Sequence, residues 1–444
     1  MEIFEKANQL NLERKYDEAD KVYDLLLAQN PKNPHLLATV GTMYIRMGRY
    51  GMAISLLERA TETEKQSDMY FNLGIAYKFA GLYDKARKYF DRSIEGTPSA
   101  DALANYAGLY LNVGTPEIGM IYAKRALELE PNLPMAHWNM ALAYLELGQW
   151  EQGWKEQEWG FDVGLRVDRK PGQFPRWDGT KGKTVIVYGE QGLGDEIMFA
   201  SMIPDLMKTN TVILECHKRL ETLFHKSFGI ECHGTREDTN IPWIADTKAE
   251  YQISIGSLGR FFRNKREDYP GTPYLKAEPL EKTKFRVGIS WTGGLKQGRV
   301  RTREVPLNLW KTILDNHANC EFVNLQYTDC KEDLSFLRSI GYDVKYFPEV
   351  HAEDYYETAK LVKSCDLVIS VCTSVIHLAG ALGVPCWVMV PNKPAWRYGI
   401  TGGMPWYRSV RLYRQPKDAD WSGVTSRVGY DLEELVRCKN EVCV

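Results

Sequence analysis

Residues 102–114, A-L-A-N-Y-A-G-L-Y-L-N-V-G, lead into a second helical segment that closes in A-L-E-L-E-P at 126–131, and this unit recurs through the first third of the chain. With Tyr44, Tyr77, Tyr110 and Tyr144 in register, Gly48, Gly81, Gly114 and Gly148 each fall four positions later, a period of roughly 34 residues. Small residues keep step at Ala19, Ala53, Ala86, Gly119 and Gly153, where one helix must approach its neighbour closely. Three copies close before Pro31, Pro98 and Pro131, because proline cannot continue the helix that precedes it. A lone helix pair cannot cover its own apolar face. Five such pairs are therefore expected to stack into a curved α-solenoid, with a groove lined by the first helix of each pair.

The pattern resembles the tetratricopeptide repeat (TPR). Within the groove, Asn72, Asn105 and Asn139 share one repeat position, directly before Leu73, Tyr106 and Met140. A ladder of amides, each with a donor and an acceptor, would grip an extended peptide backbone without reading its sequence. The other reading has each amide bonding to the neighbouring turn. Glu5 and Thr39 at the same position in the first two copies shorten any ladder.

At 444 residues the chain exceeds one hydrophobic core, and about 150 residues per domain suggests about three units. A formal net charge of -2 argues against a sequence-independent nucleic-acid binder, whose affinity would come from lysine and arginine on phosphates. The start M-E-I-F-E-K-A-N-Q-L is charged and amphipathic, and no apolar run is long enough to cross a bilayer, so a cytoplasmic protein without a membrane span is expected. The nine cysteines begin at Cys216, and Cys216, Cys320, Cys372 and Cys386 lie in or beside predicted strands, which fits free thiols better than disulfides or zinc.

Beyond Tyr144 the repeat loosens into W-E-Q-G-W-K-E-Q-E-W-G-F, whose Trp150, Trp154 and Trp159 form an aromatic stripe read as packing between domains. The stretch 162–182, rich in proline, glycine and charge, reads as a linker. Then the period changes. T-V-I-V-Y, T-V-I-L-E and Y-Q-I-S-I alternate with helical stretches, and a second series from Arg286 runs R-V-G-I-S-W, E-F-V-N-L-Q, D-V-K-Y-F, D-L-V-I-S and P-C-W-V-M-V. The expected architecture is an α-solenoid over 1–161, the linker, and two Rossmann-like α/β domains over 183–280 and 281–444. Ligands of such sheets sit beyond the carboxyl ends of the strands.

Two of those ends carry chemistry. G-E-Q-G-L-G-D-E at 189–196 lacks both the dinucleotide spacing and a Walker lysine, but it places Gly192, Gly194 and Asp195 at a helix start. An aspartate there is most often a cap. In the second half a buried strand ends in Thr373-Ser374, and the following helix carries His377. Hydroxyls and free N–H groups at a helix start suit a diphosphate, with His377 as a candidate ligand contact rather than only a structural histidine. The string Asp418-Ala419-Asp420 falls outside the βα pattern and reads as a loop pair, so no metal is expected.

Together, G-E-Q-G-L-G-D-E-I, I-S-W-T-G-G, T-S-V-I-H-L-A-G-A-L-G-V-P and P-N-K-P-A-W-R-Y resemble bacterial and phage proteins that join tetratricopeptide repeats to a glycosyltransferase domain similar to the heptosyltransferases (family 9-type), with the two-domain GT-B fold. A looser likeness to the O-linked N-acetylglucosamine transferases rests on domain order. The resemblance implies transfer of a sugar from a nucleotide-diphosphate sugar, a co-substrate rather than a cofactor, to an acceptor hydroxyl, without a metal. It implies Asp195 as the base, and a donor and phosphate site from Gly192, Gly194, Trp291, Lys296, Arg303, Gln326, Thr373, Ser374, His377, Trp396 and Arg397, with Arg299 and Arg301 adding charge nearby; the alternatives are a basic loop that is only solvated and a Trp396 that only closes the domain interface. Where the family carries an aspartate before the Thr-Ser pair, this chain has Cys372. The groove would recruit a peptide, protein or glycan acceptor, or a partner. The competing readings are a non-catalytic binding scaffold and a nucleotide-sugar epimerase of the same fold.

Overall fold

Gly48, Gly81, Gly114 and Gly148 all adopt positive φ, between 72° and 79°, and so end the first helix of each pair in a turn that a Cβ would strain. In a computed structural model describing residues 2–13, 15–96, 98–293, 303–315, 320–416 and 420–442, those turns punctuate ten helices. They are α1 (Glu2–Leu12), α2 (Tyr16–Gln29), α3 (Pro34–Arg46), α4 (Tyr50–Thr63), α5 (Ser67–Phe79), α6 (Tyr83–Ser93), α7 (Ala100–Asn112), α8 (Pro116–Leu129), α9 (Pro134–Glu146) and α10 (Trp150–Glu156). Contacts divide the chain into two compact units, Met1–Ala143 and Tyr144–Val444.

In the first unit, successive pairs share a core that includes Tyr23, Leu37, Tyr44, Leu57, Leu73, Tyr77 and Phe90. The tyrosines also fasten one pair to the next. Tyr44 donates to Asp20, Tyr77 to Glu58 and Tyr106 to Asp91, each bond running from a first helix to the second helix of the preceding pair. Close approach occurs at the small positions. A Cβ on Gly74 would lie 2.9 Å from Phe90, and one on Gly119 would lie 3.1 Å from the Ala107 carbonyl oxygen.

The second unit contains two parallel sheets. The first has β1 (Thr184–Tyr188), β2 (Thr211–Glu215), β3 (Glu231–His233) and β4 (Tyr251–Ser254) in the order β3-β2-β1-β4. The second has β5 (Phe285–Ser290), β6 (Cys320–Asn324), β7 (Leu367–Val371), β8 (Cys386–Val390) and β9 (Val410–Arg414) in the order β6-β5-β7-β8-β9. Every pairing is parallel. The central strands are buried on both faces, as their unbroken apolar runs require. One apolar cluster runs from Val185 and Phe199 in the first half to Ile376 and Val388 in the second, and Trp154 is fully buried in it.

Local pattern and structure part in three places. D-V-K-Y-F forms no strand but a single bridge, Lys345 to Val323; its charged residues and the following Pro348 are the devices that cut pairing short at a sheet edge. Short β3 and polar V-R-L-Y-R, which is β9, gain strand structure from neighbours already in place. Residues 162–182, expected as a linker, pack on the first sheet instead: Arg176 bridges Gln252, whose side-chain amide donates to the Gly172 and Phe174 carbonyls at 2.8 and 2.6 Å, and Arg166 is buried. Described cysteines are free thiols. Among the described residues no helix is long and apolar enough to cross a membrane.

Candidate functional site

The turn after β1 is held by two buried carboxylates. Glu190 accepts from Arg166 Nη2 at 2.6 Å and from the Gly256 N–H at 3.2 Å, which ties the turn to the end of β4. Glu196 accepts from the His217 N–H at 3.0 Å and pairs with Arg236, which ties it to the end of β2. Burial outweighs Arg236 and pushes the Glu196 carboxyl up to about 7. Between them Gln191 sits at φ 60°, a left-handed position for a residue with a Cβ. Gly192 caps helix α11 (Leu193–Phe199), and Asp195 Oδ2 accepts the Gly192 N–H at 3.3 Å.

Helix α11 meets the helix Ser374–Leu382, which follows β7. A Cβ on Gly194 would lie 3.1 Å from Ser374 Cα and 3.3 Å from His377 Cδ2, so glycine permits this contact. Asp195 Oδ1 accepts from Arg397 Nη2 across the same seam. A cavity of about 320 Å³ opens here, walled by the 192–195 turn, the 372–377 segment, Arg219, Arg303, Arg397 and the rings of Tyr327, Tyr355 and Tyr398. The two sequence motifs thus face one crevice beyond the carboxyl ends of their strands.

Its electrostatics favour an anion. Three guanidiniums and one carboxylate line the walls. The buried Nε atoms of Arg303 and Arg397 have no hydrogen-bond partner among the described residues. Arg303 Nη1 donates to the Cys372 carbonyl at 3.4 Å, and Arg219 Nη2 to the Ala352 carbonyl at 2.9 Å. Among the described residues the Thr373 side chain makes no cap bond, its hydroxyl lying 3.2 Å from that of Ser370, so no side-chain cap takes up the first N–H groups of the Ser374–Leu382 helix, whose start lines the cavity.

His377 enters differently from the sequence expectation. Tyr274 donates its hydroxyl proton to the Ile197 carbonyl at 2.6 Å, and its oxygen lies 3.3 Å from that of Tyr407. His377 Nδ1 lies 3.2 Å from the Tyr407 oxygen, so the tautomer of the ring sets which of the two donates. Burial and Arg397 hold its pKa well below the usual histidine range. As a neutral ring it brings no positive charge to a phosphate. The Cys372 thiol is buried, and burial pushes its pKa up to about 11, so it offers no negative charge.

Gly192, Gly194, Asp195, Arg303, Thr373, Ser374, His377 and Arg397 all line this cavity. Three expected residues do not. Trp291 is buried against Trp310, with its indole N–H donating to Asp333 Oδ2 at 2.7 Å. Gln326 is buried as a brace, accepting from Ser290 Oγ and the Thr292 N–H, both at 3.1 Å. Trp396 meets Trp154 edge-on at 5.7 Å and lines a different cavity. In each case the side chain found a partner that local sequence could not supply. Lys296, Arg299, Arg301, Asp418 and Ala419 lie outside the described residues. Arg219, Tyr327, Tyr355 and Tyr398 escaped the sequence reading; a cation four residues after the end of β2 was the available signal for Arg219.

The asparagine ladder of the solenoid is interrupted. Asn139 is buried, and its Nδ2 donates to the Ala104 carbonyl at 2.7 Å in the seam between α9 and α7. Asn105 donates to the Asp101 carbonyl at 3.1 Å and accepts from Lys78 Nζ at 2.9 Å. Both amides are therefore engaged within the solenoid, by helix carbonyls and a lysine rather than by the neighbouring turn of the second reading, and Asn72 alone does not make a ladder.

Tetratricopeptide-repeat family profiles match residues 36–68 and 67–98, so these repeats occupy the amino-terminal helical region. Protein FlbA of Caulobacter vibrioides is 26% identical over 94% of this chain and 81% of its own length. The rhomboid protease GluP of Bacillus subtilis is 34% identical over only 17% of this chain and 15% of its own. Among solved structures, MamA is similar at 20% identity, covering 36% of this chain and 94% of its own with a TM-score of 0.31. YrrB, a TPR protein with an unusual peptide-binding site, is similar at 15% identity, covering 32% and 73% with a TM-score of 0.27.

Proposed function

We propose that the α/β unit is a glycosyltransferase of the GT-B type, taking a nucleotide-diphosphate sugar in the crevice between its two parallel sheets, and that the repeats recruit a protein or peptide partner. The observation that carries this reading is the joint presence of Asp195 and three arginines, two with unpartnered Nε atoms, around one helix amino terminus. The diphosphate would take the Arg303 and Arg397 donors and the N–H groups of the Ser374–Leu382 helix. Drawing Arg397 toward the diphosphate releases Asp195 Oδ1. That carboxylate then accepts the proton of an acceptor hydroxyl as its oxygen bonds to the anomeric carbon and the bond from that carbon to the diphosphate breaks. The released nucleoside diphosphate carries the negative charge that the guanidiniums hold.

Isothermal calorimetry with UDP, GDP and dTDP, followed by incubation with the corresponding radiolabelled sugars, tests the proposal. Binding of one nucleotide, with transfer or slow hydrolysis lost in Asp195→Asn, is the expected result. No binding and no turnover with any donor would discard it. A second reading, a non-catalytic scaffold, draws on the Asp195–Arg397 ion pair and the neutral Cys372 thiol. It expects nucleotide binding without turnover, or neither.

A further inference from the structure

A second cavity, also of about 320 Å³, lies in the same unit and shares Arg397 and Tyr398 with the first as a common wall. Its other walls are the rings of Trp150, Tyr269, Trp396 and Trp406 and the side chain of Glu146. It is a built site. Arg414 clamps its rim, with Nη1 donating to the Gly399 carbonyl at 2.9 Å and Nη2 to the Tyr398 and Gly402 carbonyls at 2.6 and 3.1 Å. Gly399 and Gly402, at φ 59° and 71°, let the rim fold back on itself. The rings hold one another in place: Trp150 and Tyr269 are 4.3 Å apart, and Trp406 stands edge-on to Tyr269 at 4.9 Å. Glu146 is buried, 7% exposed, at the foot of this wall.

We infer that this cavity binds a saccharide, the sugar end of the acceptor in the transfer proposed above, on which that role rests. A pyranose has apolar C–H faces that aromatic rings cover and hydroxyls that a carboxylate and backbone carbonyls accept from, and the volume is at the small-ligand end of the usual range, about 300 Å³ upward. The shared Arg397 wall puts such a sugar beside the group that pairs with Asp195.

The test is saturation-transfer NMR on the full chain with D-glucose, N-acetyl-D-glucosamine and L-rhamnose, each with and without UDP. At least one sugar should show transfer to its ring protons, the signal should persist when UDP is added, and affinity should fall at least tenfold in both Trp150→Ala and Glu146→Gln. No transfer with any of the three sugars would overturn the inference, as would binding of choline in their place. So would wild-type sugar affinity in Glu146→Gln, an isosteric change that decides the matter should Trp150→Ala fail to fold. A UDP titration of the same wild-type sample separates the two proposals: sugar binding without nucleotide binding removes the transferase and leaves the saccharide site, whereas nucleotide binding without sugar binding does the reverse.

Discussion

Arg303 shows how a residue's chemistry is set by what it lacks as much as by what it touches. Among the described residues Arg303 has one long bond to a carbonyl and an Nε with no partner, which suits its donors to an anion. Truncating it to alanine should cost about 1.5–3 kcal/mol of nucleoside-diphosphate binding, roughly ten- to hundredfold in Kd, read by calorimetry. Glu196 carries a different signature. Its carboxyl titrates near 7 in the folded chain against 4.5 when exposed, so the folded state binds the extra proton between those values. Stability from this group is complete below about pH 4.5 and is lost as pH rises through about 7. Glu196→Gln removes the titration, and wild type should lose melting temperature relative to that variant across this window.

At the scale of elements, the contact between α11 and the Ser374–Leu382 helix depends on a missing side chain. Gly194→Ala would place a methyl 3.1 Å from backbone at Ser374, with little room to yield. A loss of about 1–3 kcal/mol in chemical denaturation is expected, together with weaker nucleotide binding as the cavity is prised open. In the solenoid, the bond from Tyr77 to Glu58 spans two repeats. Tyr77→Phe should lower stability by about 1–2 kcal/mol without loss of helix, measured by thermal circular dichroism. Neighbouring repeats stabilise one another through such interfaces, so the cost should spread to both.

At the scale of the molecule, the two units have separate cores: Ala7 to Leu109 for the largest cluster of the repeats, and Leu145 to Val410 for the largest cluster of the α/β unit. Arg166 links a segment read as a linker to Glu190, and both side chains are fully buried. Arg166→Ala strands a buried carboxylate and should cost about 3–5 kcal/mol. The melt should then split, the α/β transition moving to lower temperature while the repeat helices keep theirs.

What the chain declared by itself was periodic. A recurrence of roughly 34 residues and the change to alternating strands and helices are local patterns, and local patterns suffice to identify helix pairs and parallel sheets. The motifs at the ends of β1 and β7 were legible for the same reason, since a strand end followed by glycines or hydroxyls marks a ligand-facing loop. Tertiary structure alone decided which side chains reach the crevice. Asp195 and Arg397 are 202 positions apart and meet, whereas Trp291, Gln326 and Asn139 are drawn into packing by partners that no spacing reveals. A side chain at a strand end has several directions open to it, and the partner that selects one arrives from another part of the fold.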